Sequence, residues 1–279
     1  MNKSHNKMKK INTIFNLLIV LCIVFTSCNE QKSAKNIESQ TPVKEHTELA
    51  VIWQQNAAEY RALSYQAYNI ATQKVKSLKR TNRSKPLAII TDLDETVIDN
   101  SPYSAMQIKQ DLDFDKDDWI EWGKLKQAQG LPGAVRFFNL ADSLGIEVFY
   151  ISNRYQDQLT ETIENLKLLN LPNADSAHVF LRTSTSEKQE RRNKVLEDYE
   201  VVLYMGDNLS DFSSIFDNQN SKSRNESVDK MSTEFGDQFI VFPNPMYGDW
   251  ESKGLYENKR DWTHKEKDSL RNLKLTSYK

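Results

Sequence analysis

Residues 87–100 read Leu87-Ala-Ile-Ile-Thr-Asp-Leu-Asp-Glu-Thr-Val-Ile-Asp-Asn100, an apolar run that ends in closely spaced carboxylates. Because the run has no polar alternation, it predicts a strand buried on both faces, as in the middle of a parallel sheet. Asp92 and Asp94 follow where this strand ends, and ligands bind at the carboxyl ends of strands in open α/β sheets. Side chains two apart on extended backbone point to the same side, so these carboxylates repel unless a cation or a shared proton holds them together. A divalent metal meets this need, and oxygen ligands favour Mg²⁺.

The same two aspartates have a plainer interpretation. Asp is common in turns, so Asp92 and Asp94 would then only close the strand with soluble residues. Their spacing alone does not separate the two interpretations. The rest of the chain has to decide between them.

Length and charge limit the classes of protein to consider. The chain has 279 residues, which suits one large domain or one domain with an inserted cap. Lys and Arg number 37 against 39 Asp and Glu, so bulk charge gives no basis for binding a nucleic acid polymer. Aromatic residues at 10% and charged residues at 27% are typical of an ordinary globular protein.

The first residues resemble an export signal. Four lysines among the first ten residues precede the apolar run 17–25, which is too short for a settled transmembrane helix. Thr26-Ser27-Cys28 follows and resembles the lipobox of bacterial lipoproteins, so residues 1–27 are expected to be a lipoprotein signal peptide and Cys28 to carry the lipid. The alternative is ordinary signal cleavage with an incidental cysteine. Residues 28–46 are polar and without period, which predicts a flexible tether.

The remaining residues, 47–279, are expected to form one domain. Apolar residues recur at threes and fours from Leu49 to Leu78, which predicts one long amphipathic helix that serves core or dimer packing. Residues 101–130 contain no second apolar strand and are interpreted as a cap insertion that covers the site. Residues 221–234 are interpreted as a polar surface excursion.

Beyond the first strand, the pattern alternates between strands and helices. Strands are predicted at 146–152, 178–182, 201–207 and 238–242, and helices at 131–145, 158–170, 187–198 and 208–216. This alternation is typical of a parallel sheet with right-handed crossovers. The predicted fold class is therefore α/β, a Rossmann-like three-layer parallel sheet with a small helical cap and a long N-terminal helix.

Four of the predicted strands have polar groups at their carboxyl ends, and these ends would lie side by side. The groups are Asp92 with Asp94, then Ser152-Asn153-Arg154, then Arg182 with Lys188, and finally Gly206-Asp207 with Asp211. A metal between Asp92 and Asp207, surrounded by Ser152, Asn153 and Lys188, would make a phosphate site. No histidine has an Arg-His-Gly setting, and both cysteines belong to the export segment. A carboxylate therefore remains as the nucleophile, which would form an aspartyl-phosphate.

These motifs, in this order, resemble motifs one to four of the haloacid dehalogenase (HAD) superfamily. The longer strings narrow the resemblance: Asp94-Glu-Thr-Val-Ile-Asp-Asn-Ser-Pro-Tyr103, Pro132-Gly-Ala-Val135, Val148-Phe-Tyr-Ile-Ser-Asn-Arg154 and Leu203-Tyr-Met-Gly-Asp-Asn-Leu209. They resemble the class C non-specific acid phosphatases, specifically the outer-membrane lipoprotein type with 5′-nucleotidase activity. The similarity runs from about Trp53 to Trp250, most of the chain after the signal.

The resemblance implies a role for each matching residue. Asp92 would be the nucleophile and a Mg²⁺ ligand, while Asp94 would be the general acid and base and would lend its backbone carbonyl to the metal. The other implied roles are Asp207 and Asp211 for the metal, Ser152 and Lys188 for the phosphoryl group with Asn153 and Arg154 nearby, and Trp119 and Tyr247 for stacking a nucleoside base. Each of these two rings has an equally good interpretation as core packing.

The expected activity is a Mg²⁺-dependent acid phosphatase that hydrolyses phosphate monoesters, above all nucleoside 5′-monophosphates. The expected location is the cell envelope, as an outer-membrane lipoprotein, and a homodimer is a further expectation. Two alternatives stay open at this point. One is a general or sugar-phosphate phosphatase without base preference, and the other is a non-catalytic surface lipoprotein that binds haem or a nucleotide.

Overall fold

The computed structural model describes residues 42–78, 83–259 and 261–279. The predicted signal peptide, Cys28 and the tether up to residue 41 lie outside the described residues. The end of the predicted tether is folded, because Glu45–Thr47 forms a 3₁₀ turn. Within the described residues, no helix combines the length and the apolar character needed to cross a bilayer.

The domain is built on a parallel sheet of five strands. The strands of the chain are β1 (Leu87–Thr91), β2 (Ile98–Asp99), β3 (Gln129–Gly130), β4 (Glu147–Tyr155), β5 (Val179–Arg182), β6 (Glu200–Gly206) and β7 (Phe239–Val241). The large sheet has the order β5-β4-β1-β6-β7, and β2 and β3 form a separate antiparallel pair. The apolar run therefore lies at the centre of the sheet, as predicted.

Some helices pack on the two faces of this sheet, and others lie in the cap or beyond the sheet. The helices are α1 (Glu48–Asn56), α2 (Ala58–Ser77), α3 (Ser101–Gln110), α4 (Lys116–Leu125), α5 (Ala134–Ser143), α6 (Leu159–Leu168), α7 (Gln189–Asp198), α8 (Ser221–Lys230) and α9 (His264–Lys274). Ile89 packs into the core cluster formed with α2, α5 and α6, whereas Ala88 and Ile90 pack with Val195 of α7 on the other face. This alternation buries β1 on both sides, so the predicted three-layer α/β fold is confirmed.

The cap insertion is a closed excursion. It leaves the sheet after the Asp92–Asn100 loop, runs through α3 and α4, and returns at β3. Ile98 pairs with Gly130, so both ends of the insertion are fixed next to the loop that carries Asp92 and Asp94. Asp115 caps α4 by accepting hydrogen bonds from the backbone N–H groups of Asp117 and Asp118.

The structure corrects four sequence-based expectations. The helix predicted at 208–216 is instead two 3₁₀ turns, Leu209–Asp211 and Ser214–Phe216, because Ser213 between them has extended backbone. The helix predicted from Leu49 to Leu78 is two helices, because Ala57 has extended backbone with φ −76° and ψ 129°. The polar excursion predicted at 221–234 contains the helix α8. Its buried residues are Arg224 and Ser227, which are polar, so the sequence shows no apolar period that would predict a helix. The C-terminal helix α9 was not predicted at all, and it buries none of its residues.

The apolar stripe of the N-terminal helices serves the chain's own core. Tyr68 and Ala71 of α2 have no exposed surface, and the Tyr68 hydroxyl donates to the carbonyl of Thr96 at 2.6 Å. The helix thereby fixes the loop that follows β1. The apolar residues left exposed on this part of the chain include Leu49, Ile52 and Leu63.

Candidate active site

The loop after β1 is a tight turn that presents Asp92 and Asp94. The backbone N–H of Asp92 donates to the carbonyl of Met205 at 2.8 Å, which extends the pairing of β1 with β6. The carbonyl of Leu93 accepts hydrogen bonds from the N–H groups of residues 96–98, which closes the turn. Glu95 adopts a left-handed conformation with φ 59° to complete it. The chain direction changes between the two aspartates, so they reach different neighbours.

Asp92 belongs to a cluster of three buried or half-buried carboxylates. Asp92, Asp207 and Asp211 each offer an oxygen, and these oxygens lie within 4.8 Å of one another. Asp207 follows β6, and Asp211 lies in the 3₁₀ turn Leu209–Asp211. The turn is closed by the N–H of Asn208, which donates to Asp211 Oδ2 at 3.0 Å. A Cβ on Gly206 would lie 2.4 Å from the Asp211 side chain, so the position admits only glycine.

Lys188 is the cation of this cluster. Its Nζ lies 2.5 Å from Asp92 Oδ1 and 2.7 Å from Asp211 Oδ1, and it is buried at the start of α7. Burial alone would lower the pKa of Lys188, but the neighbouring Asp211 and Asp92 raise it. The ammonium therefore stays charged beside the carboxylates.

One lysine does not balance three carboxylates. Burial raises the pKa of Asp92 to about 7, and Asp211 and Asp94 act in the same direction against the lowering effect of Lys188. Burial also raises the pKa of Asp207 well above its usual range, with Asp211 and Asp92 adding to the effect. Like charges held this close favour a divalent cation, and carboxylate oxygens are the ligands that hard cations prefer. The donor set of Asp92, Asp207 and Asp211 fits such an ion.

Asp94 lies outside this cluster and is held by a separate network. Its Oδ2 accepts from the Ser152 hydroxyl at 2.9 Å, and its Oδ1 accepts from Arg154 Nε and from Asn100 Nδ2, both at 2.9 Å. Arg154 is almost fully buried and also donates to Asn100 Oδ1 at 3.1 Å. The network fixes the Asp94 carboxylate next to the cluster of Asp92, Asp207 and Asp211 without making it one of the clustered carboxylates.

The structure thus brings most of the residues implied for phosphate binding to one place. Lys188 contacts Asp92, while Ser152 and Arg154 contact Asp94. Asn153 is different, because its side chain is exposed and accepts a hydrogen bond from Arg191 at 2.8 Å. The side-chain carbonyl oxygen of Asn153 therefore contacts Arg191 and helps to hold the end of β4.

Three residues that sequence reasoning missed support the site. Arg191 donates to the carbonyl of Ser152 at 2.6 Å, and burial lowers its pKa to about 10. Arg192 is only 1% exposed and donates to the carbonyl of Ser210 at 2.7 Å, which braces the turn that carries Asp211. Asn244 donates to Asp207 Oδ2 at 2.7 Å. Their only sequence signal was two adjacent arginines in a charged helix and an asparagine between two prolines.

The site opens into a cavity of about 610 Å³ with aromatic walls. Trp119 of the cap lines it, and its ring packs edge-on against Tyr103 at 5.0 Å and lies 5.5 Å from the Arg154 guanidinium. Tyr247 also lines it, is 37% exposed, and donates from its hydroxyl to the buried Glu95. Burial raises the pKa of Glu95 well above its usual range, and Asp94 and Asp207 add to the effect.

Comparison with known proteins adds to this geometry. Residues 18–250 match the family described as HAD superfamily, subfamily IIIB (acid phosphatase). Acid phosphatase 1 of Solanum lycopersicum is 32% identical over 171 residues, which are 57% of this chain and 57% of that protein. The chain thus spans less than two thirds of the length of this curated relative.

Solved structures match over more of the chain. The class C acid phosphatase of Bacillus anthracis is 39% identical with a TM-score of 0.82, and the match covers 86% of this chain and all of that one. A second structure of that enzyme, with tungstate bound, matches with the same values. The chain therefore belongs to subfamily IIIB of the HAD superfamily, the acid phosphatase family, and within it to the class C acid phosphatases.

Proposed function

We propose that the protein hydrolyses phosphate monoesters with the help of Mg²⁺. The observation behind this proposal is the buried group of Asp92, Asp207 and Asp211, which shares the single ammonium of Lys188 at 2.5 Å from Asp92. These three carboxylates would hold the cation, which when bound supplies positive charge for the oxygens of a phosphate. Tungstate is a tetrahedral oxyanion like phosphate, and its binding by the Bacillus anthracis enzyme supports this assignment.

Asp92 is the proposed nucleophile. One of its oxygens attacks phosphorus, the bond from phosphorus to the ester oxygen breaks, and an aspartyl-phosphate forms. Asp94 gives a proton to the leaving oxygen and then takes one from the water that hydrolyses the aspartyl-phosphate. The fixed position of Asp94 next to the cluster suits this exchange, because Ser152, Arg154 and Asn100 orient its carboxylate.

Ser152 and Lys188 orient the phosphoryl group. The Ser152 hydroxyl has one proton, which it donates to Asp94 Oδ2 in this structure. A phosphate oxygen that accepts this proton instead would release Asp94 Oδ2 for the leaving oxygen. Two of the three N–H groups of Lys188 are used by Asp92 and Asp211, and the third can donate to the same phosphate.

Nucleoside 5′-monophosphates are the proposed substrates. Trp119 and Tyr247 both line the cavity, and the family resemblance gives them the faces of a planar base. The alternative is a general or sugar-phosphate phosphatase, in which Trp119 only packs the cap. Its contacts with Tyr103 and Arg154 are the observation that favours this alternative.

A phosphate-release panel tests these proposals. We expect adenosine 5′-monophosphate to be hydrolysed with Mg²⁺, and hydrolysis to stop when a chelator is added. We also expect Trp119→Ala to raise KM for this substrate about tenfold or more and to change KM for glycerol phosphate little, since one stacked base contributes about 1–3 kcal/mol. Equal effects on both substrates would favour the general phosphatase, and no release from any ester would favour a non-catalytic surface lipoprotein that binds haem or a nucleotide.

Lipid anchoring at Cys28 and an outer-membrane location are part of the same proposal. They are supported by the lipobox-like Thr26-Ser27-Cys28. Cys28→Ser should move the protein from the membrane fraction to the soluble fraction of the envelope. A homodimer is proposed on the exposed apolar residues near the N-terminus of the domain, such as Leu49 and Leu63, and light scattering of the purified protein measures it.

A further inference from the structure

One wall of the cavity carries a cation without a carboxylate partner. Arg182 ends β5, and its register partner on β4 is Tyr155. The Arg182 guanidinium lies 4.1 Å from the centre of the Tyr155 ring, and both residues line the cavity. Lys116 of the cap, which does not line the cavity, places its Nζ 4.6 Å from the same ring. Two cations from separate elements therefore meet at one aromatic ring.

The other cations of the cavity floor are already paired. Lys188 contacts Asp92 and Asp211, and Arg154 contacts Asp94. Among residues 42–78, 83–259 and 261–279, no carboxylate oxygen lies within 4.0 Å of Arg182. Lys116 approaches only Asp157, at 4.0 Å, and both of those side chains are more than half exposed. The excess of positive charge at Arg182 is therefore free to attract an anion from solution.

The position of Arg182 fits a second group on the substrate rather than the reacting phosphate. β5 is separated from β1 by β4 alone, so β5 lies two strand spacings, about 10 Å, from the strand that leads into Asp92. The Tyr155 ring holds the guanidinium by a cation–π contact and leaves its N–H edge available. A guanidinium edge is suited to bidentate hydrogen bonds with phosphate oxygens.

We propose that Arg182, held by the Tyr155 ring, forms a second anion subsite that binds the other phosphate of a substrate carrying two. The favoured substrates are then phosphate monoesters with a second phosphate, on a nucleoside or a sugar. This inference rests on the proposed phosphatase function and extends it to substrate choice.

The test compares substrates that differ only in the second phosphate. The pairs are adenosine 3′,5′-bisphosphate with adenosine 5′-monophosphate, and fructose 1,6-bisphosphate with fructose 6-phosphate. The quantity measured is the ratio of kcat/KM within each pair. We expect the preferred pair to give a ratio of about ten or more for the natural protein, since a charge-assisted pair of hydrogen bonds is a strong contact. The preferred pair identifies whether nucleosides or sugars are used.

The variants isolate the guanidinium. Arg182→Gln should bring the ratio close to one, Arg182→Lys should keep part of it, and added salt should lower it in the natural protein. The matched control is Arg61→Gln, which removes another guanidinium that lies over a tyrosine ring, at 6.0 Å from Tyr65 and outside the cavity. This control should keep the ratio of the natural protein.

Two results would overturn the subsite. They are a ratio near one for both pairs in the natural protein, and an unchanged ratio in Arg182→Gln. If no ester releases phosphate, the proposed function fails by itself. Calorimetric binding of the same pairs, with divalent cation withheld, then tests the subsite: tighter binding of the bisphosphate that disappears in Arg182→Gln supports it, and equal binding within each pair contradicts it.

Discussion

The two ends of the strands in the central sheet arrange charged groups in opposite ways. We call the end where the strands stop the carboxyl edge and the end where they begin the amino edge. At the carboxyl edge, Asp92, Asp207 and Asp211 offer oxygens within 4.8 Å of one another and share Lys188. At the amino edge, the His178 imidazole lies between Asp175 at 2.8 Å and Glu147 at 2.9 Å. Glu147 also accepts a hydrogen bond from the Tyr199 hydroxyl at 2.8 Å. One edge concentrates like charges, and the other pairs opposite ones.

The pKa shifts follow from this difference. Burial raises the pKa of Asp92 to about 7, so the carboxyl edge carries charge that burial disfavours. At the amino edge, burial acts against both ionised groups, but the mutual hydrogen bonds raise the pKa of His178 and lower that of Asp175. A cluster of buried like charges lowers the stability of the fold, and a bound ligand of opposite charge can offset that cost. Such clusters therefore indicate a functional site.

The substitution Asp92→Asn tests the difference between the carboxyl edge and the amino edge most directly. Loss of the nucleophile should lower kcat/KM by at least about 10³-fold. The fold should persist, because the amide oxygen can still accept from Lys188, and circular dichroism checks this. Asp175→Asn, at the amino edge, is the matched control and should keep its turnover. A purified Asp92→Asn protein with more than about a tenth of natural activity would remove Asp92 from the mechanism.

Divalent cations should stabilise only the carboxyl edge. At a Mg²⁺ concentration about one hundred times its Kd, the free energy of unfolding should rise by about 2.7 kcal/mol relative to protein in chelator. Scanning calorimetry with and without Mg²⁺ measures this as a change in Tm. Asp207→Asn should lose the response and Asp175→Asn should retain it. An equal response from both variants would mean that the ion binds elsewhere.

The features of the fold and site that were predicted correctly are those that local sequence patterns encode. The unbroken apolar run fixed β1 as a central strand, and the rule for carboxyl edges brought Asp92, Asp207 and Lys188 together although they are far apart in the chain. Fold class and the main cluster thus followed from strand order and chemistry. The break at Ala57 did not, because the apolar period continues on both sides of it.

The supporting contacts of the site were beyond such patterns. Asn244 lies between two prolines, a pattern that predicts only the end of a strand. Its side chain nevertheless donates a hydrogen bond to Asp207, 37 residues away. Arg192 stands in a helix of charged residues, and nothing in the helical period distinguishes its buried guanidinium from the more exposed charged side chains of that helix. Long-range hydrogen bonds of this kind depend on how loops meet, which a single sequence does not encode locally.

A pair of Tyr→Phe variants sharpens the comparison by removing one hydroxyl from each edge. Tyr247→Phe removes the hydrogen bond to Glu95 and frees the ring on the cavity wall, so KM for adenosine 5′-monophosphate should rise by about two- to tenfold. Tyr199→Phe removes the hydrogen bond to Glu147 and should cost about 1 kcal/mol of stability with KM unchanged. Steady-state kinetics and urea unfolding of both variants give the two readouts. If KM rose for Tyr199→Phe and not for Tyr247→Phe, substrate binding would belong to the amino edge and not to the carboxyl edge.

The smallest effect expected is a pH dependence of stability at the amino edge. The contacts with Glu147 and Asp175 raise the pKa of His178 in the folded state despite burial, so folding favours the imidazolium. Its contribution is therefore fully present below the ordinary pKa of 6.5 and is lost as pH rises through the higher folded value. His178→Gln should cost more stability near pH 5 than near pH 9, by less than about 1 kcal/mol because Glu147 and Asp175 are partly exposed. Urea unfolding of the natural protein and of His178→Gln at both pH values measures the difference. If His178→Gln cost the same at both pH values, the imidazolium would not be paired in solution, and the amino edge would owe its stability to packing on Phe149 at 4.9 Å rather than to charge.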